Sequence, residues 1–179
     1  MTDFTHTIWR QSAIGKEMTD AEARELLLLS RREDYKEGEV LFKEEDPAAE
    51  FFLIVSGEID VIKKGHEDKP SVLATLAAGA ILGETSLLTQ ESRSATARAK
   101  SNATILRVRW EDFEAFLGEN PTGAYKIVLG LARLLAVRLK RINAKVTDLT
   151  TTENTNPAPD PKLEEFANFK QKLLSDWSF

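Results

Sequence analysis

Between Tyr35 and Val108 the apolar residues return at every second position in runs of about five residues, and this limits the fold more than any other feature. The runs are 39–43, 51–55, 59–63, 72–76, 95–99 and 103–108, rich in branched and aromatic side chains. Glu45-Asp46-Pro47, Ser56-Gly57, Gly65-His66 and Gly79 separate them with turn chemistry. Many short strands at such spacing predict a mainly β, antiparallel sandwich or closed roll. Helices flank it. Thr19 with Glu22 three residues on forms a capping-box pattern before Ala23, Leu26, Leu27 and Leu29, which predicts a short helix. Residues 110–117 predict a second, broken before Pro121, and residues 124–149 one long helix of about 26 residues, or about 39 Å. Residues 1–18 carry no periodic signal beyond Phe4, Ile8 and Trp9, which can cap a neighbouring surface.

One loop inside this β region carries the chemistry. It reads Gly83-Glu84-Thr85-Ser86-Leu87 and then Arg93-Ser94-Ala95-Thr96. Gly83 permits a close backbone approach, and the amides opening the helical turn at Thr85 and Ser86 suit an anion. Arg93 offers a planar two-point clamp for phosphate oxygens, whereas Glu84 accepts and so suits a ligand hydroxyl such as that of ribose. In a surface loop Arg93 could instead pair with Glu84 or Glu91, a contact worth about 0–1 kcal/mol.

In order and spacing these residues resemble the phosphate-binding cassette of the cyclic-nucleotide-binding domain family. The runs from Lys36 to Phe42 and from Phe52 to Val61, with Gly79 shortly before Gly83, resemble the entry half of its roll, and the similarity extends over 22–149. The resemblance implies an antiparallel β-roll or jelly roll (double-stranded β-helix) with a short N-terminal and a long C-terminal helix. It gives Glu84 the ribose 2′-hydroxyl, Arg93 an exocyclic phosphate oxygen, and Ser86 and Ser94 backbone amides or a hydroxyl for the phosphate. Gly83, Thr85 and Ala95 complete the loop. Ser94 fits readers of adenine and can still bond guanine, so cAMP is favoured over cGMP. Glu45 stands where many members carry glycine, and is expected to alter a turn far from the ligand.

The long helix has two apolar stripes. Val128, Ala132, Leu135, Leu139, Ile142, Val146 and Leu149 alternate steps of four and three, the seam of a two-stranded coiled coil, so residues 128–149 are the expected homodimer contact. Ile127, Leu131 and Leu134 form a second stripe for the roll, and Arg138 extends it. Family members place their base-contacting residue near this point, which makes Arg138 a candidate for the base. Arg138 also belongs to a run of exposed-type cations with Lys126, Arg133, Lys140, Arg141 and Lys145, and Leu135 and Leu139 compete as an apolar lid.

The remaining features narrow the function. A net charge of -5 argues against a general nucleic-acid coat or a basic membrane-surface protein. Absence of cysteine excludes disulfides and thiol catalysis, and two histidines, His6 and His66, make a histidine metal centre improbable; His66 reads as a solvated turn residue. The start is no secretory signal, and 127–132 falls short of a bilayer span, so the expected place is the cytoplasm. The expected organisation is an N-terminal extension 1–18, a binding domain 19–149, a Thr- and Pro-rich linker 150–161 and an amphipathic tail 162–179 with Leu163, Phe166, Phe169, Leu173 and Trp177. That tail is too short and too little basic for a helix-turn-helix, so no DNA partner is expected. The reading is a stand-alone sensor of a 3′,5′-cyclic nucleotide, with no other cofactor, no metal and no catalytic residue, signalling through its C-terminal helix to an effector protein. The rival is a dimerisation or docking module that keeps the roll and binds no nucleotide.

Overall fold

The computed structural model describes residues 3–64, 69–89 and 91–152. The turn holding His66, most of the linker and the tail expected at 162–179 lie outside the described residues. The chain falls into two units, Met1–Ala136 and Val137–Phe179.

In the first unit, eight antiparallel strands form two four-stranded sheets. One has the order β1 (Ser30–Tyr35), β8 (Ala103–Arg109), β3 (Glu50–Ser56), β6 (Ile81–Leu82); the other has β2 (Val40–Phe42), β7 (Thr96–Ala99), β4 (Glu58–Lys64), β5 (Pro70–Ala77). The period of two explains the layering. Along β3, Phe52 and Ile54 point into the roll with Ile59, Leu82, Ala97 and Ile105, while Phe51 and Leu53 face a core shared with the helices. Strand β3 is therefore buried on both faces, and its near-continuous apolar sequence follows from that.

The helices build the second core. Helix α2 (Asp20–Leu28) opens on the predicted capping box, with Thr19 Oγ1 accepting from Glu22 N–H and Glu22 Oε2 accepting from Thr19 N–H. Helix α1 (Asp3–Gln11), for which the sequence offered only a capping role, contributes Trp9. With Ile14 and Met18, Trp9 is buried in the core of the roll's helical side, its ring edge-on to Phe51 at 6.2 Å. Gly15 is required there, because a Cβ would lie 1.8 Å from the Trp9 carbonyl oxygen.

Helix α4 (Trp110–Glu119) sets Phe113 and Phe116 into the same core, Phe113 at 5.0 Å from Phe51. Asn120 ends it and starts α5 (Pro121–Thr152): its N–H bonds Phe116 O, while its Oδ1 accepts from Gly123 N–H. Pro121 suits the first helical position, where no N–H is needed. As expected, Ile127, Leu131 and Leu134 pack on the helical core, whereas Val128 on the seam is 56% exposed. Gly130 lets α5 approach the Ile14 backbone, where a Cβ would be 2.6 Å away. Glu22 and Lys126, 2.9 Å apart, pair α2 with α5 at a largely buried position. In the second unit α5 continues to Thr152, with Val137, Leu139 and Ile142 exposed.

Candidate functional site

The short strand β6 is held on β3 through the pairs Phe52 with Leu82 and Leu53 with Ile81. Gly83 then turns the chain at φ +82°, a conformation other residues adopt only at a cost. A Cβ there would lie 2.5 Å from Arg93 Nη1 and 3.2 Å from the Glu50 carbonyl oxygen, so glycine is required for space as well. Helix α3 (Glu84–Thr89) follows, with Ser86 buried and Thr85 exposed.

Arg93 is the most constrained residue of the loop. Its backbone exchanges two hydrogen bonds with the turn after β2: Arg93 N–H to Asp46 O and Glu45 N–H to Arg93 O, both 2.9 Å. Glu45 occupies that turn at φ +72°. The turn is thus joined to the cassette arginine, which corrects the expectation that Glu45 acts far from the site. The Arg93 side chain is 2% exposed, with its guanidinium carbon 4.3 Å from the Phe42 centroid and 5.4 Å from that of Phe52. Nη1 donates to Gly83 O at 3.3 Å, Nη2 lies 3.6 Å from Glu50 Oε2, and Nε is buried with no hydrogen-bond partner. Burial pushes the Arg93 pKa down while Glu50, Asp46 and Glu84 oppose the shift, and a guanidinium stays charged in either case. Two rings, one backbone carbonyl and one distant carboxylate leave donor capacity for an anion that can take paired hydrogen bonds from the planar guanidinium.

From Arg93 a line of charges crosses the first sheet. Glu50 Oε1 accepts from Arg107 Nη1 at 3.2 Å, Arg107 Nε lies 3.1 Å from Glu33 Oε1, and Tyr35 donates to Glu33 Oε2 at 2.8 Å. Burial, reinforced by Glu33, raises the Tyr35 pKa to about 12. These side chains line an open cleft of about 270 Å³ with Leu41, Phe42, Asp46, Pro47 and Phe52. Its aromatic walls and two arginines suit a flat, partly charged molecule.

Glu84 lies elsewhere. Its side chain is 3% exposed and lines a void of about 10 Å³ with Ile14, Phe51, Leu88, Trp110, Phe113 and Leu131, while Oε1 accepts from Thr85 Oγ1 at 3.1 Å. That void has room for about one water. The fold thus brings Gly83 and Arg93 together, with Ser94 exposed and Ala95 buried after them, while the Glu84 side chain lines a separate space. Arg138 lies on the part of α5 that belongs to the second unit. Sequence reasoning missed Phe42, Glu50 and Arg107. Phe42 and Arg107 were legible only as strand residues and Glu50 lay just before a predicted strand, because their neighbourhood to Arg93 comes from pairing between distant strands. Among the described residues no group of three or more His, Cys, Asp or Glu could hold a metal, and no helix is long and apolar enough to cross a membrane.

Residues 32–120 match the cyclic nucleotide-binding domain model. They belong to the cyclic nucleotide-binding domain family. Glutaminase 1 of Bradyrhizobium diazoefficiens is 39% identical over 119 residues, which cover 66% of this chain and 18% of that protein. The cyclic AMP receptor protein of Thermus thermophilus is 30% identical over 126 residues, 70% of this chain and 56% of that protein. The crystal structure of Thermus thermophilus catabolite activator protein aligns with a TM-score of 0.69 at 28% identity, covering 77% of this chain and 63% of that one. The chain therefore spans from under a fifth to just over half of the length of these curated relatives. The two-sheet β-roll of the cyclic nucleotide-binding domain is the fold they share with it.

Proposed function

We propose that the chain is a cytoplasmic, non-enzymatic sensor that binds a 3′,5′-cyclic nucleotide, cAMP in preference to cGMP, and signals to a partner protein by movement of α5. The observation that carries this reading is Arg93: a cation 2% exposed, with a buried Nε that has no hydrogen-bond partner, in the cassette of a cyclic nucleotide-binding domain. A phosphate would satisfy donors whose isolation costs free energy. A relative known as a cyclic AMP receptor protein favours adenine.

For one ligand to meet both the Arg93 guanidinium and the Glu84 carboxylate, α3 or its side chains must move, because the two now line separate spaces. Binding and conformational change are then the same event, and the ligand shifts the equilibrium by its difference in affinity for the two states. Leu131 and Ile127 of α5 border the space around Glu84 or pack in the same core, so a displaced Glu84 has a direct route to that helix. The proposed homodimer uses the seam at 128–149, and Arg138 or the leucines beside it would meet the base.

A second reading has an observation of its own. Arg93 already stacks on Phe42 and contacts Glu50, which suits a closed module that docks without ligand. Thermal melting separates the two. Ligand at 100 times its dissociation constant stabilises a binding protein by about 2.7 kcal/mol. A sensor melts several degrees higher with cAMP and less so with cGMP at equal concentration. A docking module melts at one temperature throughout.

A further inference from the structure

The ladder between β4 and β7 ends at the pair Ile62 with Thr96. The Ser94–Ala95 peptide, the second beyond Thr96, lies past that ladder, and its carbonyl is bonded by a side chain. Lys63 Nζ donates to Ser94 O at 2.8 Å. Lys63 is also paired, since Nζ lies 2.6 Å from Glu44 Oε1. Glu44 in turn is tied on both sides: Oε2 accepts from Lys64 N–H at 3.1 Å, and its own N–H donates to Thr96 Oγ1 at 3.0 Å. Glu44 also sits in the turn whose next two residues, Glu45 and Asp46, bond the Arg93 backbone.

A trans peptide is planar, so its C=O and N–H point in opposite directions. No cis peptide occurs among the described residues. When Lys63 holds the Ser94 carbonyl, it also fixes the Ala95 N–H to point away from Lys63, at a residue that is 6% exposed. The geometry points to Lys63, braced by Glu44, as a positioning residue that orients the Ser94–Ala95 peptide so that Ala95 N–H meets a phosphate oxygen of the bound nucleotide. This role rests on the sensor reading and adds to it a residue from a neighbouring strand that touches no ligand.

The test is calorimetric titration of the full chain with cAMP and with its Rp and Sp phosphorothioates, in which sulfur replaces one exocyclic oxygen or the other. Lys63→Met, which keeps the stem and removes the donor, is expected to bind cAMP roughly tenfold more weakly, the low end for a charge-assisted hydrogen bond. One Ala95 N–H reaches one oxygen, so the loss should differ between the two diastereomers. Lys63→Arg should restore affinity, and Glu44→Gln, which keeps the lysine and loosens its brace, should show a smaller loss with the same diastereomer bias. Unchanged cAMP affinity in Lys63→Met overturns the role. So does an equal loss for all three ligands, which would report only the missing charge. Should Lys63→Met fail to fold, Glu44→Gln decides alone by the presence or absence of that bias. Wild type that binds none of the three ligands removes the sensor reading, and the Lys63 role with it; wild type that binds while Lys63→Met is unaltered removes the Lys63 role alone.

Discussion

At the scale of the residue, Gly83 and Arg93 form one device. The φ of +82° at Gly83 and the 2.5 Å approach of Arg93 Nη1 to its missing Cβ leave no place for a side chain. Gly83→Ala is expected to cost about 1–2 kcal/mol from the left-handed backbone alone. It should also push the guanidinium off Phe42, so that melting temperature and nucleotide affinity fall together; a variant that melts like wild type would contradict the packing described. Glu45 is the opposite case, a bulky residue at φ +72°. Glu45→Gly relieves that strain while adding freedom to the unfolded chain, with a net expected gain of about 0.5–1 kcal/mol in chemical denaturation. The order Gly83, Glu84, Arg93, Ser94 is legible in sequence because consecutive backbone positions fix it. The parting of Glu84 from Arg93 is not, because it depends on which rings wait on either side of the loop. Phe42 and Phe52 draw the arginine one way, and Glu84 is enclosed by Phe51, Trp110 and Phe113 on the other.

At the scale of the element, the pair Glu22 and Lys126 joins α2 to α5. Burial raises the Glu22 pKa, but hydrogen bonds from Lys126 and from Thr19 outweigh it and hold the carboxyl below its usual 4.5. A lowered folded-state pKa gives stability that is fully present above 4.5 and is lost as pH falls through the lower folded value. The melting temperature should therefore drop from pH 6 toward pH 3, and Glu22→Gln should flatten that slope. An identical slope in the variant would show that the pair does not couple the helices. Helix α2 was legible because Thr19 and Glu22 state its start in chemical terms. Strand β1 was not, since Ser30-Arg31-Arg32-Glu33-Asp34-Tyr35 has no apolar alternation. Its place comes from β8, with which it pairs from Ser30 with Val108 to Tyr35 with Ala103. Helix α1 escaped for a related reason: Phe4, Ile8 and Trp9 are too few to set a period by themselves, and Trp9 finds Phe51 across the sequence.

At the scale of the whole molecule, the roll supplies the candidate site and α5 the candidate output. The apolar seam visible in sequence is exposed at Val128, Leu139 and Ile142, and in the proposed homodimer these residues would meet a second copy. Ile142→Glu places charges face to face in such a seam and should convert a dimer to a monomer in sedimentation. If wild type already sediments as a monomer at high micromolar concentration, the seam has another use. The alternation of short strands made the roll legible, and the matching residues 32–120 agree with that reading. In the proposed sensor Arg93 is the group expected to hold the nucleotide's phosphate. A charge-assisted hydrogen bond to phosphate is worth about 1.5–3 kcal/mol, or roughly 10- to 150-fold in affinity. The decisive measurement is a calorimetric titration of wild type and Arg93→Ala with cAMP, each checked for an intact fold by its melting curve. The expected result is saturable binding in the wild type that weakens by that factor in the folded variant. Equal binding by the two proteins, or no heat from the wild type at millimolar cAMP and cGMP, would contradict it.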